Sequence, residues 1–170
     1  AILDGGISAW TDAGGALTAP PPDHPPATWR ARVPRTDDVV DAAIVEARRL
    51  DPGTLLLDVR APERYRGELE PIDPRAGHIP GAVSAPWAGN LQPDGHLLSP
   101  EGLADRFRAL GAQDGQRVIA ACGSGVNATQ TILAMRLAGM DAQLYEGSWS
   151  DWSSDPTRPA AIGPDPGGAA

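Results

Sequence analysis

Cys122 is the only cysteine among the 170 residues of this chain, and it begins a loop that also contains Gly123 and Gly125. Residues 118–121 are uniformly apolar, which predicts a buried parallel strand, and residues 127–138 place apolar side chains at helical spacing. The thiol is therefore predicted to lie at the carboxyl edge of a sheet, where open α/β folds bind their ligands.

The main-chain amides of this loop could stabilise an anion. Gly123 and Gly125 flank Ser124, and glycine allows a loop to curl until successive N–H groups point inward. The following helix adds unpaired N-terminal donors and the positive end of its dipole. Such surroundings would favour the thiolate of Cys122 and make it a nucleophile at neutral pH. The alternative is a buried cysteine that packs as a small apolar side chain.

Two other classes of protein use similar loops. Cysteine-dependent phosphatases place an arginine where this chain has Ala128, so phosphatase activity is not predicted. Gly123, Gly125 and Ala128 also satisfy the dinucleotide fingerprint G-x-G-x-x-A, with a predicted strand before it and a predicted helix after it. A dinucleotide-binding domain therefore stays an alternative, although it would leave Cys122 without a role.

Composition limits the class of protein. The formal net charge of −8 and the isoelectric point near 4.7 argue against nucleic acid or an anionic membrane as a partner. No apolar run approaches the length of a membrane span, and a sole cysteine excludes an internal disulfide, which fits a reducing cytoplasm. His24, His78 and His96 are scattered and have no partner cysteines at ligand spacing, so no metal site is predicted.

Strand and helix patterns alternate along the chain, which predicts an α/β fold with a mainly parallel sheet and helices on both faces. One helix is predicted over 36–49 with Thr36 as its N-cap, and another begins after Ser99. Asp58 and Arg60 follow an apolar strand and place charges at the same carboxyl edge. The five predicted strands are residues 28–33, 54–59, 82–85, 118–121 and 143–145.

A short motif occurs twice. Residues 3–10 are LDGGISAW and residues 145–152 are YEGSWSDW, and each copy is followed by a proline-rich segment. We interpret the first copy as the end of a preceding homologous domain. The predicted organisation is a remnant of that domain over 1–18, a proline-rich linker over 19–27, a catalytic domain over 28–155 and a flexible tail over 156–170.

Residues 61–81 form a long charged segment that should line the site at the sheet edge. Arg64, Arg66 and Arg75 could bind a carboxylate by paired hydrogen bonds, and a solvated charge is the alternative for each. His78 is predicted to be a structural histidine bonded to the backbone.

Five motifs occur together in this chain: LLDVR, ERYRGELEPIDP, GHIPGAV, CGSGVNA and YEGSWSDW. In this order they resemble the C-terminal domain of a tandem rhodanese-type sulfurtransferase. The resemblance covers residues 28–163, and residues 1–18 resemble the end of the inactive N-terminal repeat of that family. It implies a rhodanese-like fold, and the N-terminal repeat as a partner that supplies a supporting histidine and aspartate.

In that family the cysteine takes a sulfur atom from a small-molecule donor and holds it as a persulfide. It then passes the sulfur to cyanide or to a thiol acceptor, such as thioredoxin or a small thiol. The resemblance implies that Cys122 is the nucleophile and that no cofactor is needed. Arg64 matches the arginine that binds the anionic group of the donor, Arg75 approximately matches a second one, and Asp58 matches a mainly structural aspartate. The amides that would stabilise the sulfur anion belong to Gly123, Ser124, Gly125, Val126 and Asn127.

The loop also bears on the sulfur donor. Thiosulfate-specific members of the family carry cationic residues just after the cysteine, whereas this chain has Gly123 and Ser124. The CGSGV sequence is similar to that of 3-mercaptopyruvate sulfurtransferases, in which the residue matching Ser124 helps to polarise the donor. Asn127 stands where that subgroup has threonine or serine. A rhodanese-like binding or regulatory module without turnover is the alternative from a different functional class.

Overall fold

The computed structural model describes residues 2–19, 23, 25–28, 30 and 36–167. Five parallel strands form one sheet in the order β1-β5-β4-β2-β3, so the predicted α/β architecture is confirmed. The strands are β1 (Val39–Val40), β2 (Thr54–Asp58), β3 (Ala82–Ser84), β4 (Arg117–Ala121) and β5 (Gln143–Tyr145). The helices are α1 (Gly6–Asp12), α2 (Ala42–Arg48), α3 (Pro62–Tyr65), α4 (Pro100–Ala109), α5 (Val126–Leu137) and α6 (Ser148–Ser154).

The two central strands, β2 and β4, direct alternate side chains to opposite faces of the sheet, as the twofold period of a strand requires. Leu57 and Ala120 pack in a cluster with α4 and α5, whereas Leu56 and Ile119 pack in a second cluster with α2, α3 and α6. Each of these Leu and Ile side chains is almost fully buried and contributes roughly 1.5–3 kcal/mol to stability. The carboxyl ends of β2 and β4 are thereby fixed side by side.

The first predicted strand and helix differ from the structure. Residues 28 and 30 have no regular structure, and residues 29 and 31–33 of the predicted strand lie outside the described residues. The edge strand is instead β1, where Val40 is buried and pairs with Tyr145. Helix α2 accordingly begins only after β1, and its N-cap is Asp41, whose Oδ1 accepts the Ile44 N–H at 2.9 Å. Thr36 is therefore not the helix cap.

Helices α4 and α5 follow the predicted pattern closely. The Ser99 side chain accepts the Gly102 N–H at 3.1 Å and Pro100 occupies the first turn of α4, so this predicted start is confirmed. Helix α5 begins directly after the cysteine loop, at Val126. Among the described residues, no helix is both long enough and apolar enough to span a membrane.

The segment after α6 packs against the domain instead of forming the flexible tail predicted from its composition. His78 and Ala161 exchange two main-chain hydrogen bonds of 2.9 Å each. The N–H of Gly81 donates to Pro166 O at 2.7 Å, and a side chain at Gly77 would collide with Ala161 O. The prediction of a flexible tail is therefore wrong for residues 156–167.

The repeated motif also folds alike in both copies. Helices α1 and α6 each have seven residues and begin at matching positions of the motif, Gly6 and Ser148, which both have positive φ angles of 61° and 50°. The apolar side chains of the second copy are buried, whereas those of the first are not. In the second copy, Tyr145, Trp149 and Trp152 are each at most 1% exposed. The matching residues of the first copy are 54% exposed at Leu3, 67% at Ile7 and 47% at Trp10.

Candidate active site

A cavity of about 330 Å³ lies beyond the carboxyl ends of β2 and β4. The cysteine loop and the start of α5 form one wall, and the charged segment after β2 forms another. The lining residues used below are Arg60, Arg64, Ile72, Asp73, Trp87, Cys122, Gly123, Ser124, Val126, Asn127 and Ser150. The structure thus brings most of the predicted site residues together.

Cys122 lies at the boundary between the core and this cavity. It follows β4 directly, is 3% exposed, and packs in the cluster under α4 and α5 while also lining the cavity. The residue is therefore shielded from bulk solvent but is adjacent to the space that a small ligand could occupy.

The loop amides are available to an anion. Within the described residues, none of the N–H groups of residues 123–127 donates a hydrogen bond to the protein. Gly125 has a φ of 81° and ends the loop, and a Cβ there would lie 2.6 Å from Glu146 O. Only glycine therefore fits at this position, and the curled loop that the sequence predicts depends on it.

The start of α6 holds the cysteine loop through three hydrogen bonds. The Cys122 N–H donates to Ser148 Oγ at 3.0 Å, and the Cys122 carbonyl accepts the Trp149 N–H at 3.0 Å. The Ser150 N–H donates to Gly123 O at 2.9 Å. Sequence reasoning identified the motif that contains Ser148 and Ser150 but gave it no role at the site. The only feature of the sequence that singled out this motif is that it occurs twice, each time ending in tryptophan.

Arg64 lies beside the loop, as predicted. Its Nη2 donates to Glu70 Oε1 at 2.6 Å and to Asp73 Oδ2 at 3.0 Å. Its Nη1 is directed towards Gly123, because an ideal Cβ there would be 3.4 Å from that nitrogen. Its Nε is buried and has no hydrogen-bond partner among the described residues. Arg64 therefore keeps one terminal nitrogen beside the cavity.

Asp58 fixes Arg60, which sequence reasoning did not assign to the site. Arg60 Nη2 donates to Asp58 Oδ2 and to Gly77 O at 2.6 Å each, and Nη1 donates to Glu70 Oε2 at 3.3 Å. The guanidinium also lies over the Trp149 ring, 4.9 Å from its centroid. The signal for Arg60 in the sequence was a charge at the end of a buried strand.

Glu70 connects the two arginines and was not predicted. Burial acts to raise the pKa of Glu70, but hydrogen bonds from Arg64 and from the amides of Asp73 and Ile72 outweigh burial and hold the pKa below its usual value. Glu70 is therefore a carboxylate at neutral pH.

Arg75 is not part of the cavity, so the structure does not support its predicted role in donor binding. Its guanidinium donates to four main-chain carbonyl oxygens at 2.8–3.1 Å, and Arg75 does not line the cavity. The acceptors are the carbonyl groups of Trp152, Ser153, Asp155 and Arg158. Arg75 instead fixes the end of α6 and the segment that follows it.

Arg66 and His78 also lie outside the site. Arg66 pairs with Glu68 at 2.8 Å at the surface. His78 is fully buried, its Nδ1 lies 2.8 Å from Tyr65 O, and its ring stacks on Tyr65 with 3.8 Å between centroids. The predicted structural role of His78 is confirmed. Within the described ranges, no group of three or more His, Cys, Asp or Glu residues is arranged to hold a metal ion.

Comparison with known proteins gives a consistent result. The family described as the rhodanese-like domain matches residues 41–155. Over 164 residues the chain is 47% identical to a probable 3-mercaptopyruvate sulfurtransferase of Pseudomonas aeruginosa, and 42% identical to a putative thiosulfate sulfurtransferase, SseB, of Mycobacterium tuberculosis. Each alignment covers 95% of this chain but only 57% of the relative, so the chain spans a little over half the length of these proteins.

A solved structure is also similar throughout the chain. A single-residue variant of EanB, in a state described as a cysteine persulfide in a tetrahedral intermediate with ergothioneine, matches with a TM-score of 0.83 and 25% identity. The match covers 95% of this chain and 41% of EanB.

Proposed function

Because the chain belongs to the rhodanese-like domain family, we propose that it transfers sulfur through a persulfide on Cys122. One observation carries this proposal. The sole cysteine lies beside a small cavity, at the start of a loop whose amides have no partner among the described residues. The sulfurtransferase names of two relatives and the persulfide of the similar solved structure support the same chemistry.

The first half-reaction forms the persulfide. The Cys122 thiolate attacks the thiol sulfur of 3-mercaptopyruvate, a new S–S bond forms, and the C–S electron pair leaves with the carbon. The proton of the donor thiol moves to that carbon, which gives pyruvate and leaves a Cys122 persulfide anion. With thiosulfate the S–S electron pair would leave as sulfite. The free amides of residues 123–127 stabilise the terminal sulfur anion by charge-assisted hydrogen bonds.

The second half-reaction regenerates the enzyme. A thiolate or cyanide attacks the terminal sulfur, takes it as a persulfide or thiocyanate, and releases the Cys122 thiolate. Arg64 orients the donor through the nitrogen directed at the loop, and Ser124 polarises the donor carbonyl. Trp87 and Ile72 add apolar surface to the cavity.

We further propose that 3-mercaptopyruvate is preferred to thiosulfate, because Gly123 and Ser124 add no positive charge next to the thiol. The proposed acceptor is thioredoxin, a small thiol or cyanide. A cytoplasmic location fits an enzyme whose sole cysteine must stay reduced. The proposed partner of residues 2–12 is a second rhodanese-like unit, since this segment folds like α6 but exposes its apolar side chains.

Mass spectrometry after treatment with each donor tests the proposal. Cys122 should become heavier by one sulfur atom, and Cys122→Ser should neither gain that sulfur nor turn over. A wild-type chain that consumes no donor and never carries the extra sulfur would refute sulfur transfer and favour a non-catalytic binding module.

A further inference from the structure

We propose that Asp73 determines donor specificity by favouring singly charged donors over doubly charged ones. This inference rests on the proposed sulfur-transfer function. It assigns the donor preference to a carboxylate in the cavity wall, in addition to the neutral residues of the cysteine loop.

Asp73 is held firmly in this wall. It lines the cavity together with Arg64, and its side chain is only 4% exposed. Its Oδ2 lies 3.0 Å from Arg64 Nη2, and its main-chain N–H donates to Glu70 Oε1 at 3.1 Å. The Arg64 ion pair therefore holds the carboxylate, and the hydrogen bond to Glu70 holds the backbone that carries it.

The charges around the cavity do not sum to a cationic site. Two arginines, Arg60 and Arg64, face three nearly buried carboxylates, Asp58, Glu70 and Asp73, which are linked to them by ion pairs of 2.6–3.3 Å. One negative charge is therefore left over before the thiolate of Cys122 is counted. The repulsion of an entering anion by this excess grows in proportion to the charge of the anion.

The hydrogen bonds of Arg64 also favour a singly charged donor. Its Nη2 is already shared by Glu70 and Asp73, and Nη1 is the terminal nitrogen nearer to Gly123. A single carboxylate on the donor can use Nη1 and the loop amides without displacing Asp73. A dianion such as thiosulfate brings twice the negative charge to the same nitrogen, and the Asp73 carboxylate paired with Arg64 repels it more strongly.

The experiment measures kcat/KM for thiosulfate and for 3-mercaptopyruvate in wild type, Asp73→Asn and the control Glu68→Gln. Glu68 belongs to the same segment and also pairs with an arginine, but its side chain is 58% exposed and does not line the cavity. The ratio of kcat/KM for thiosulfate to that for mercaptopyruvate should rise about tenfold or more in Asp73→Asn and stay within about twofold in Glu68→Gln.

An unchanged ratio in a folded Asp73→Asn variant that still forms the persulfide overturns the inference but leaves the proposed function intact. A wild-type chain that forms no persulfide with either donor would refute both the inference about Asp73 and the proposed sulfur transfer. If Asp73→Asn does not fold, Asp73→Ser makes the same charge change with a smaller side chain. The ratio of kcat/KM for thiosulfate to that for mercaptopyruvate in this variant then tests the inference in the same way.

Discussion

Ser148 Oγ accepts the main-chain N–H of Cys122 at 3.0 Å while its own hydroxyl donates to Tyr145 O at 2.8 Å. Ser148 is fully buried, and it is the only non-glycine residue among those described that has a positive φ angle. A left-handed conformation at a non-glycine residue costs about 1–3 kcal/mol. The hydroxyl offsets this strain by fixing the backbone at the nucleophile.

Ser148→Ala and Ser148→Gly separate these two effects. Both remove the acceptor of a buried N–H, which should cost about 1–3 kcal/mol of unfolding free energy. The glycine variant also relieves the left-handed strain, so it should be more stable than the alanine variant.

Both variants should also lower the rate at which iodoacetamide alkylates Cys122, since the start of the cysteine loop loses its hydrogen bond to Ser148. Denaturant unfolding and alkylation of wild type in parallel test this. Alkylation at the wild-type rate in both variants would contradict a positioning role.

Arg64→Ala should raise the KM for 3-mercaptopyruvate. It removes a charge-assisted hydrogen bond worth about 1.5–3 kcal/mol, which corresponds to roughly 10- to 150-fold in affinity. Arg66→Ala is the matched control, because Arg66 lies two residues away and pairs with Glu68 outside the cavity. Steady-state kinetics on both variants should show the change only for Arg64. Equal KM values would mean that Arg64 does not bind the donor.

Arg75→Ala should instead reduce stability and leave the KM of the folded enzyme close to the wild-type value. The substitution leaves four carbonyl oxygens around the end of α6 without their charged donor, which should cost at least about 2 kcal/mol of unfolding free energy. Urea unfolding combined with kinetics below the transition measures both quantities. A large rise in KM with unchanged stability would restore the role in donor binding that the sequence suggested for Arg75.

The contrast between these two arginines shows what sequence patterns can predict. The apolar runs and glycine positions near Cys122 predicted β4, α5 and the loop between them, because these features depend on neighbours along the chain. Arg75 could not be assigned, because its carbonyl partners at Ser153 and Arg158 are 78 and 83 residues away. Strand β1 was missed because its two valines also fit the apolar stripe of a helix.

The tail and the ion-pair network were missed for related reasons. A proline-rich composition shows that residues 156–167 have no core of their own, but not that their main-chain N–H and carbonyl groups can form hydrogen bonds with residues 66–81. The charges of Arg60, Glu70 and Asp73 are visible in the sequence, whereas their mutual distances depend on how the loop after β2 folds back over the sheet edge.

Glu70→Gln should show a stability loss that depends on pH. The pKa of Glu70 is held below its unfolded value, so its stabilisation is fully present above about pH 4.3 and is lost as pH falls through the folded value. At pH 7 the substitution should cost about 1.5–3 kcal/mol, because it weakens the charge-assisted hydrogen bonds that the Glu70 carboxylate accepts from Arg60 and Arg64. The difference from wild type in denaturant unfolding should shrink as pH falls below about 4.3. A difference independent of pH would mean that Glu70 does not act through its charge.

The exposed face of α1 gives the last prediction. Ile7 matches Trp149 in the repeated motif, and Trp10 matches Trp152, but among the described residues only the second copy packs in the core beneath the sheet. In this chain alone, Ile7→Ala should change the unfolding free energy by no more than about 0.5 kcal/mol, whereas Trp152→Ala should cost about 3–5 kcal/mol. In a longer polypeptide that carries the proposed second rhodanese-like unit, Ile7→Ala should cost about 2–5 kcal/mol, because the side chain is then buried. Thermal unfolding of both forms measures the difference. A neutral Ile7→Ala in the longer form would show that this unit does not cover α1.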